Sequence, residues 1–351
     1  EEVMGMADKM HADLQFEAAV AGAIPIIRPL KQSMAGNNIT EIIGIVNGTT
    51  NYILTKMTES GMNYKDALAK ATELGYAEAD PTADVEGYDA GRKMAIMSSI
   101  AFNSRVTFNQ VYTEGITKIT AEDIKYAKEF GYVIKLLGLA RNTPDGIEVK
   151  VHPMLIDENH PLATVRDSFN AVFINGNAVG DMMFYGRGAG SLPTGSAVVS
   201  DIISILRNNV EVENMQPVVK NNLWEMKIKD LKDVESRYYL RITVSDKPGV
   251  LGQITTIFGA NKVSLKSVIQ KGVKQEENID VTLVLITHST TEGLIMDSID
   301  RLYDLKTVKS IDNIIRIPVD IMMVFTFSFL NMKNLSDIIK SIDNNRIKIF
   351  V

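Results

Sequence analysis

Between residues 210 and 237 the chain turns polar and rich in asparagine and lysine, and the apolar rhythm before this stretch differs from the rhythm after it. One continuous core cannot run through a segment without apolar periodicity, so the break predicts at least two folding units. Length agrees: 351 residues exceed what a single compact core usually organises. We therefore expect residues 1–209, a linker at 210–237, a second unit at 238–317 and a tail at 318–351.

In the first unit the pattern alternates between strand and helix. Residues 13–20 and 39–46 read as strands, and residues 25–35 as a helix with proline in its first turn. Residues 50–58, 64–74 and 88–102 carry apolar side chains at helical spacing, separated by the loop 75–87. Residues 111–119, 133–140 and 147–156 read as extended. So do 169–175 and 179–185, joined by an Asn-Gly-Asn turn, and an apolar helix at 191–206 follows. The expected class is α+β with a mixed sheet. In the second unit the order is strand 238–245, helix 249–260, strands 264–270 and 279–287, helix 292–305 and strand 308–317. That βαββαβ order is ferredoxin-like.

Composition narrows the function. A net charge of -6 offers no basic face for nucleic acid. With no cysteine, disulfides and thiolate metal sites are excluded, which fits a reducing cytoplasm. Four histidines without tight spacing argue against a zinc site or a Ser-His-Asp enzyme. The apolar run 317–330 is short for a membrane helix and contains Asp320, so no membrane partner is expected. The opening residues EEVMGMADKM have no initiator methionine or signal-peptide character and read as the middle of an amphipathic helix.

Chemistry concentrates in four places. Residues 75–93, GYAEADPTADVEGYDAGRK, hold Glu78, Asp80, Asp84, Glu86 and Asp89 ahead of a mostly apolar helix. Such a loop is either a solvated acidic cap on a helix or a pocket for a cation such as an amino-acid ammonium. Asp89 and Lys93 stand four apart on one helix face, as a surface ion pair or a proton-moving pair would. Residues 16–30 place Glu17 before small residues and Pro25, a tight turn or a hard-cation site of carboxylate and carbonyls. Residues 46–54, VNGTTNYIL, form a strand–turn–helix corner, capped by Thr49 or Thr50 or holding a substrate carboxylate. Residues 186–195, GRGAGSLPTG, lack the surrounding unit of a dinucleotide fingerprint, yet their backbone could approach a cofactor.

Taken together, residues 13–208 resemble homoserine dehydrogenases, above all across 75–93. The resemblance implies a substrate-binding, catalytic and dimerisation domain that interconverts L-homoserine and L-aspartate 4-semialdehyde with NAD or NADP, on the route to threonine and methionine. Lys93 corresponds to the family's catalytic lysine and Asp89 to its companion acid. Glu78, Asp84, Gly48, Thr49 and Tyr76 correspond to substrate-binding positions. Glu17 with the carbonyls of Val20, Gly22 and Ile24 matches a sodium site, and Gly188 and Gly190 lie where the family closes over the cofactor. The second unit resembles an ACT domain, whose motif SDKPGVLG implies an amino-acid effector, threonine, at Asp246 and Gly249. The family implies a homo-oligomer.

The resemblance also implies an N-terminal dinucleotide-binding domain and a second substrate-facing lysine. Neither is found in this chain, and Lys9 lies too close to the Phe16 motif to be that lysine. The expectation is an N-terminally truncated chain with negligible activity alone. The runner-up is a catalytically silent subunit that binds an amino acid or supports assembly.

Overall fold

A computed structural model describes residues 2–10, 12–210, 225–271 and 280–319. The parts of the expected linker at 211–224, of the strand beginning at 279, and of the apolar run and tail from 320 onward lie outside the described residues.

The chain opens with α1 (Glu2–Met10), a helix as its pattern predicts. Lys9 lies exposed on it. The strand expected at 13–20 is absent; residues 12–16 are irregular and Glu17–Ala19 make one 3₁₀ turn. The reason is a buried charge. Glu17 is 5% exposed, and the segment folds so that its carboxylate accepts the amides of Ile26, Ile27 and Arg28. A strand pairing its backbone in a sheet could not present that side chain to three successive amides. The helix expected at 25–35 is shorter, a wide π-type turn at Pro29–Ser33.

From there the expected elements appear in order: β1 (Ile39–Ile45), α2 (Gly48–Ser60), α3 (Tyr64–Glu73), then α4 (Thr82–Val85), one turn inside the acidic loop, and α5 (Tyr88–Ala101). Next come β2 (Tyr112–Thr113), α6 (Ala121–Glu129), β3 (Tyr132–Thr143), β4 (Gly146–Asp157), β5 (Phe169–Gly176), β6 (Gly180–Arg187) and α7 (Ser191–Val210). The extended stretch expected at 111–119 shrinks to the two residues of β2. The helix α6 was not foreseen, although Thr120 and Asp123 form the capping box that starts it. No helix among the described residues is long and apolar enough to cross a membrane.

The second pattern folds as β7 (Glu235–Ser245), α8 (Val250–Ala260), β8 (Leu265–Lys271), β9 (Asp280–Thr287), the short β10 (Thr290–Thr291), α9 (Glu292–Tyr303) and β11 (Val308–Ile317). Its strand order, β11-β7-β9-β8, is that of a ferredoxin-like sheet. This sheet is joined to the first. The full order is β6-β5-β1-β3-β4-β11-β7-β9-β8, antiparallel throughout except at β4/β11, where Arg316 pairs in parallel with Met154. Residues up to Pro318 thus form one compact unit.

The period of two along each strand explains the join. Tyr238, Leu240 and Ile242 pack in the core beneath α8 and α9, while Tyr239, Ile315 and Ile317 enter the larger core of the first unit. Residues 225–234 are also tied down, through the bridge between Ile228 and Ile147.

Candidate active site

Everything chemical at this site hangs on the corner where β1 meets α2. Asn47 sits there in extended conformation, and its Oδ1 accepts the Thr50 amide at 2.9 Å. Asn47, not Thr49 or Thr50, is therefore the helix cap. Its Nδ2 donates to Asp84 Oδ1 at 2.6 Å and to Asp89 Oδ2 at 3.0 Å. One residue thus joins the corner to both α4 and α5.

Lys93 lies one turn beyond Asp89 on α5, and the sharp entry to that helix is set by Gly87 at φ +81. A Cβ there would lie 3.3 Å from the Glu114 carbonyl, so both conformation and space call for glycine. The Lys93 ammonium donates to Asp89 Oδ2 at 2.7 Å and to the Val46 carbonyl at 2.9 Å. The two side chains are 19% and 31% exposed, half-open to whatever enters the cleft. An ammonium has three N–H donors, and two are spent. Asp89 Oδ1 and Asp84 Oδ2 likewise take no hydrogen bond among the described residues. The cluster is held in place and still has one donor and two acceptors to offer.

On the same rim, Thr49 Oγ1 donates to the Tyr76 carbonyl at 2.7 Å, and the Tyr76 and Tyr52 rings lie 4.9 Å apart. Gly48 is pressed against the Ser168 carbonyl, which a Cβ would meet at 2.7 Å. Gly48, Thr49, Tyr76, Asp84, Asp89 and Lys93 are thereby brought together. Glu78 is not: it stands exposed, without a hydrogen bond or ion pair among the described residues.

The glycine loop after β6 closes on two neighbours. A Cβ at Gly188 would meet Asn170 Nδ2 at 2.0 Å, and one at Gly22 would meet the Gly188 carbonyl at 2.4 Å. Gly190 follows at φ +121. Asn170, on β5, is 1% exposed and its Oδ1 has no hydrogen-bond partner among the described residues. The motifs at 16–30 and 186–195, distant in sequence, are one surface.

Glu17 serves that surface as a cap. With Oε1 accepting at 2.5 and 2.7 Å and Oε2 at 2.8 Å, its charge is spent on the amides that begin the next turn. Asp201 of α7 binds the Glu17 amide at 2.8 Å and Arg28 at 2.8 Å, locking the turn from behind. The carbonyls of Val20, Gly22 and Ile24 accept no hydrogen bond among the described residues. Also among them, no cluster of three His, Cys, Asp or Glu could hold a metal.

In the second unit, Gly249 at φ +89 starts α8, and Asp246 accepts from Gln270 on β8 at 3.1 Å. The corner is exposed.

Two of the residues the geometry singles out were missed in the sequence. Asn47 stood in the motif but was overlooked as a cap, although asparagine just before a helix is the ordinary signal. Asn170 had only one sign, a polar residue inside an apolar strand.

The chain is similar to proteins of known family. Residues 25–203 match the homoserine dehydrogenase family, and residues 238–302 match the ACT domain. A homoserine dehydrogenase of Mycobacterium tuberculosis is 45% identical over 323 residues, covering 90% of this chain and 73% of that protein. The crystal structure of a homoserine dehydrogenase from Thiobacillus denitrificans superposes with a TM-score of 0.85 at 40% identity, over 90% of this chain and 73% of that one. A hyperthermophilic archaeal homoserine dehydrogenase in complex with NADPH gives a TM-score of 0.51 at 29% identity, over 59% and 60% of the two chains.

Proposed function

Because the chain belongs to the homoserine dehydrogenase family, we propose that Lys93 is the group that gives and takes the proton at the reacting oxygen, with Asp89 holding it. The family consists of oxidoreductases that use NAD(P) to interconvert L-homoserine and L-aspartate 4-semialdehyde. When bound, the nicotinamide supplies the hydride for the aldehyde carbon. Residues at the glycine loop fit such a group, since Gly188 has no room for a side chain and the buried Asn170 Oδ1 lacks a partner among the described residues.

The observation that carries the assignment is the unspent valence of the cluster. As the aldehyde is reduced, negative charge grows on its oxygen, and a preoriented ammonium lowers the barrier by donating a proton there. Two of the three Lys93 N–H groups are anchored to Asp89 and Val46, so the remaining one has a defined direction. In the oxidative direction the same lysine, neutral, receives the alcohol proton. The substrate ammonium requires carboxylate acceptors, and Asp84 has a free oxygen beside the cluster. Glu78, exposed on the same loop, would be the second such acceptor. Gly48, Thr49 and Tyr76 line the wall, and Gly188 and Gly190 bring backbone to the cofactor.

A sodium ion would rest on the carbonyls of Val20, Gly22 and Ile24, with Glu17 shaping the turn more than ligating, because its oxygens already accept three amides. Residues 238–317 would act as an amino-acid sensor with Asp246 and Gly249 at its ligand corner and threonine as effector, in a homo-oligomer. A cysteine-free chain fits a cytoplasmic setting.

The test is aspartate-semialdehyde-dependent oxidation of NADPH and NADH. It is run on this chain alone and on the chain joined to the remaining length of a relative, each beside Lys93→Ala. Turnover that vanishes with Lys93→Ala supports the assignment. Turnover that survives the substitution within a few-fold overturns it, and silence of both unsubstituted proteins favours a role in assembly or sensing.

A further inference from the structure

We propose that Asn170 is a ligand-contacting residue of this site, its Oδ1 accepting an N–H donor from bound substrate or cofactor; the inference rests on the reading above. Buried side-chain acceptors nearly always have partners, and one left without costs stability. Asn170 is 1% exposed and its Oδ1 is unpartnered among the described residues. No described residue supplies the donor it lacks, and a bound ligand would.

Its position says where. A Cβ at Gly188 would lie 2.6 Å from this Oδ1, and one at Gly48 would lie 3.6 Å from it. The carboxamide therefore stands between the substrate corner and the glycine loop. Both neighbours are glycines in spaces that any side chain would fill: Gly48 would strike the Ser168 carbonyl at 2.7 Å, and Gly188 the carboxamide itself. Backbone register puts Asn170 opposite Gly186, at the root of that loop. A polar residue that needed only packing would be replaced there without loss by an apolar one of similar shape. Among the described residues the Nδ2 donates no hydrogen bond either, so a buried carboxamide is kept here with its valences unspent, as a ligand site requires.

The amide is neutral, whereas the acceptors for a cation, Asp84 and Asp89, are grouped around Asn47. Asn170 thus selects for a hydrogen-bond donor and not for charge. The chemistry is a primary N–H, present both in the carboxamide of a nicotinamide ring and in the amino group of the substrate.

The experiment compares the full chain with Asn170→Leu, close to asparagine in shape, and with Asn170→Ala should leucine not fold. Calorimetric titrations use L-homoserine, its analogue without the amino group (4-hydroxybutanoate), NADPH, and the 3-acetylpyridine analogue of NADPH, which lacks the amide N–H. Thermal midpoints are recorded in parallel. We expect the variant to lose about tenfold in affinity for one of the two natural ligands, the size of one hydrogen bond to a buried acceptor. It should bind the donor-less analogue of that ligand as the wild type does, with an unchanged or higher melting temperature. Which ligand responds identifies the donor. A variant that binds every ligand like the wild type, or melts several degrees lower with affinities intact, overturns the proposal and leaves the family reading untouched. The titrations are run on the chain joined to the remaining length of a relative; if that unsubstituted protein binds neither natural ligand, both this proposal and the assignment of Lys93 fall.

Discussion

Two clusters in this molecule pair a cation with carboxylates, and they differ in what they leave unspent. At the cleft, Lys93, Asp89 and Asp84 are partly open and keep one donor and two acceptor oxygens free. At the junction between the two units, Arg316 is 6% exposed and donates to Glu292, to Glu114 at 2.8 Å and to the Tyr112 hydroxyl at 3.3 Å. Beside it Arg241 binds Asp123 at 2.7 Å and Glu122 at 2.8 Å, and Asp123 also takes Asn313 at 2.8 Å and the Tyr239 hydroxyl at 3.2 Å. Burial pushes the Tyr112 phenol up to about 12, so it stays neutral across the physiological range. The junction network is consumed by its own members and the cleft network is not. A charged cluster with nothing left to offer holds structure together; one with spare valences can work on a ligand.

The largest expected effect tests the cleft half of that contrast. Lys93→Ala should lower kcat by about 10²- to 10⁴-fold while leaving the denaturation midpoint nearly unchanged, because the lysine is half-open and its partners keep water. Steady-state kinetics beside a urea melt checks it, and a large loss of stability would make the cleft pair resemble the junction.

Next comes the junction. Arg316→Ala should destabilise by about 3–5 kcal/mol, because it leaves Glu292, 5% exposed, as a buried charge without its counter-ion. Denaturant unfolding reads this directly, and a change below about 1 kcal/mol would show that the junction is not locked.

A third cation falls between the two. Lys135 is buried with no carboxylate bonded to it among the described residues; its ammonium donates to Asn51 Oδ1 at 3.0 Å and the Val165 carbonyl at 2.5 Å. Burial lowers its pKa to about 8, aided by Arg166. The folded chain therefore releases this proton before the unfolded one, whose lysine titrates near 10.5. Between pH 8 and 10.5 the unfolded state binds more protons, so this residue's contribution to stability rises with pH, by on the order of 3 kcal/mol across the window. Below pH 8 both states are protonated and the contribution is flat at its lowest. Unfolding curves of the wild type and Lys135→Met at several alkaline pH values should diverge in that sense; parallel curves would mean the ammonium is stabilised where it sits.

The smallest effect is the exposed pair Lys70–Glu73, 2.8 Å apart on α3. Lys70→Ala should leave the melting temperature unchanged within error, since solvent already screens both charges. A measurable loss would show that short distance counts here even without burial.

Much of the fold was legible because its signals are short-range. The apolar periods located β1, α2, α3 and α5, and the hairpin of β5 and β6 followed from its turn residues. The first forty residues were not legible, since Glu17 imitates one position of an alternating strand while acting as a buried cap. Helix α6 was not legible from apolar spacing, because its start is marked by the polar Thr120–Asp123 capping box. At the site, the acidic loop and the Asp89–Lys93 pair could be picked out, but their relation to the β1 corner could not.

What the sequence by itself determined is what neighbours along the chain can enforce: two patterns separated by a polar stretch, the elements within each, and a lysine four residues after an aspartate on one helix face. Tertiary structure alone decided that Asn47 spans 42 residues to Asp89, that Arg316 reaches 202 residues back to Glu114, and that β11 joins the second sheet to the first. Helical spacing sets side chains a few ångströms apart wherever the helix sits. Contacts across such separations exist only after the core has packed, and it was packing that left Lys93 and Asn170 with bonds still to make.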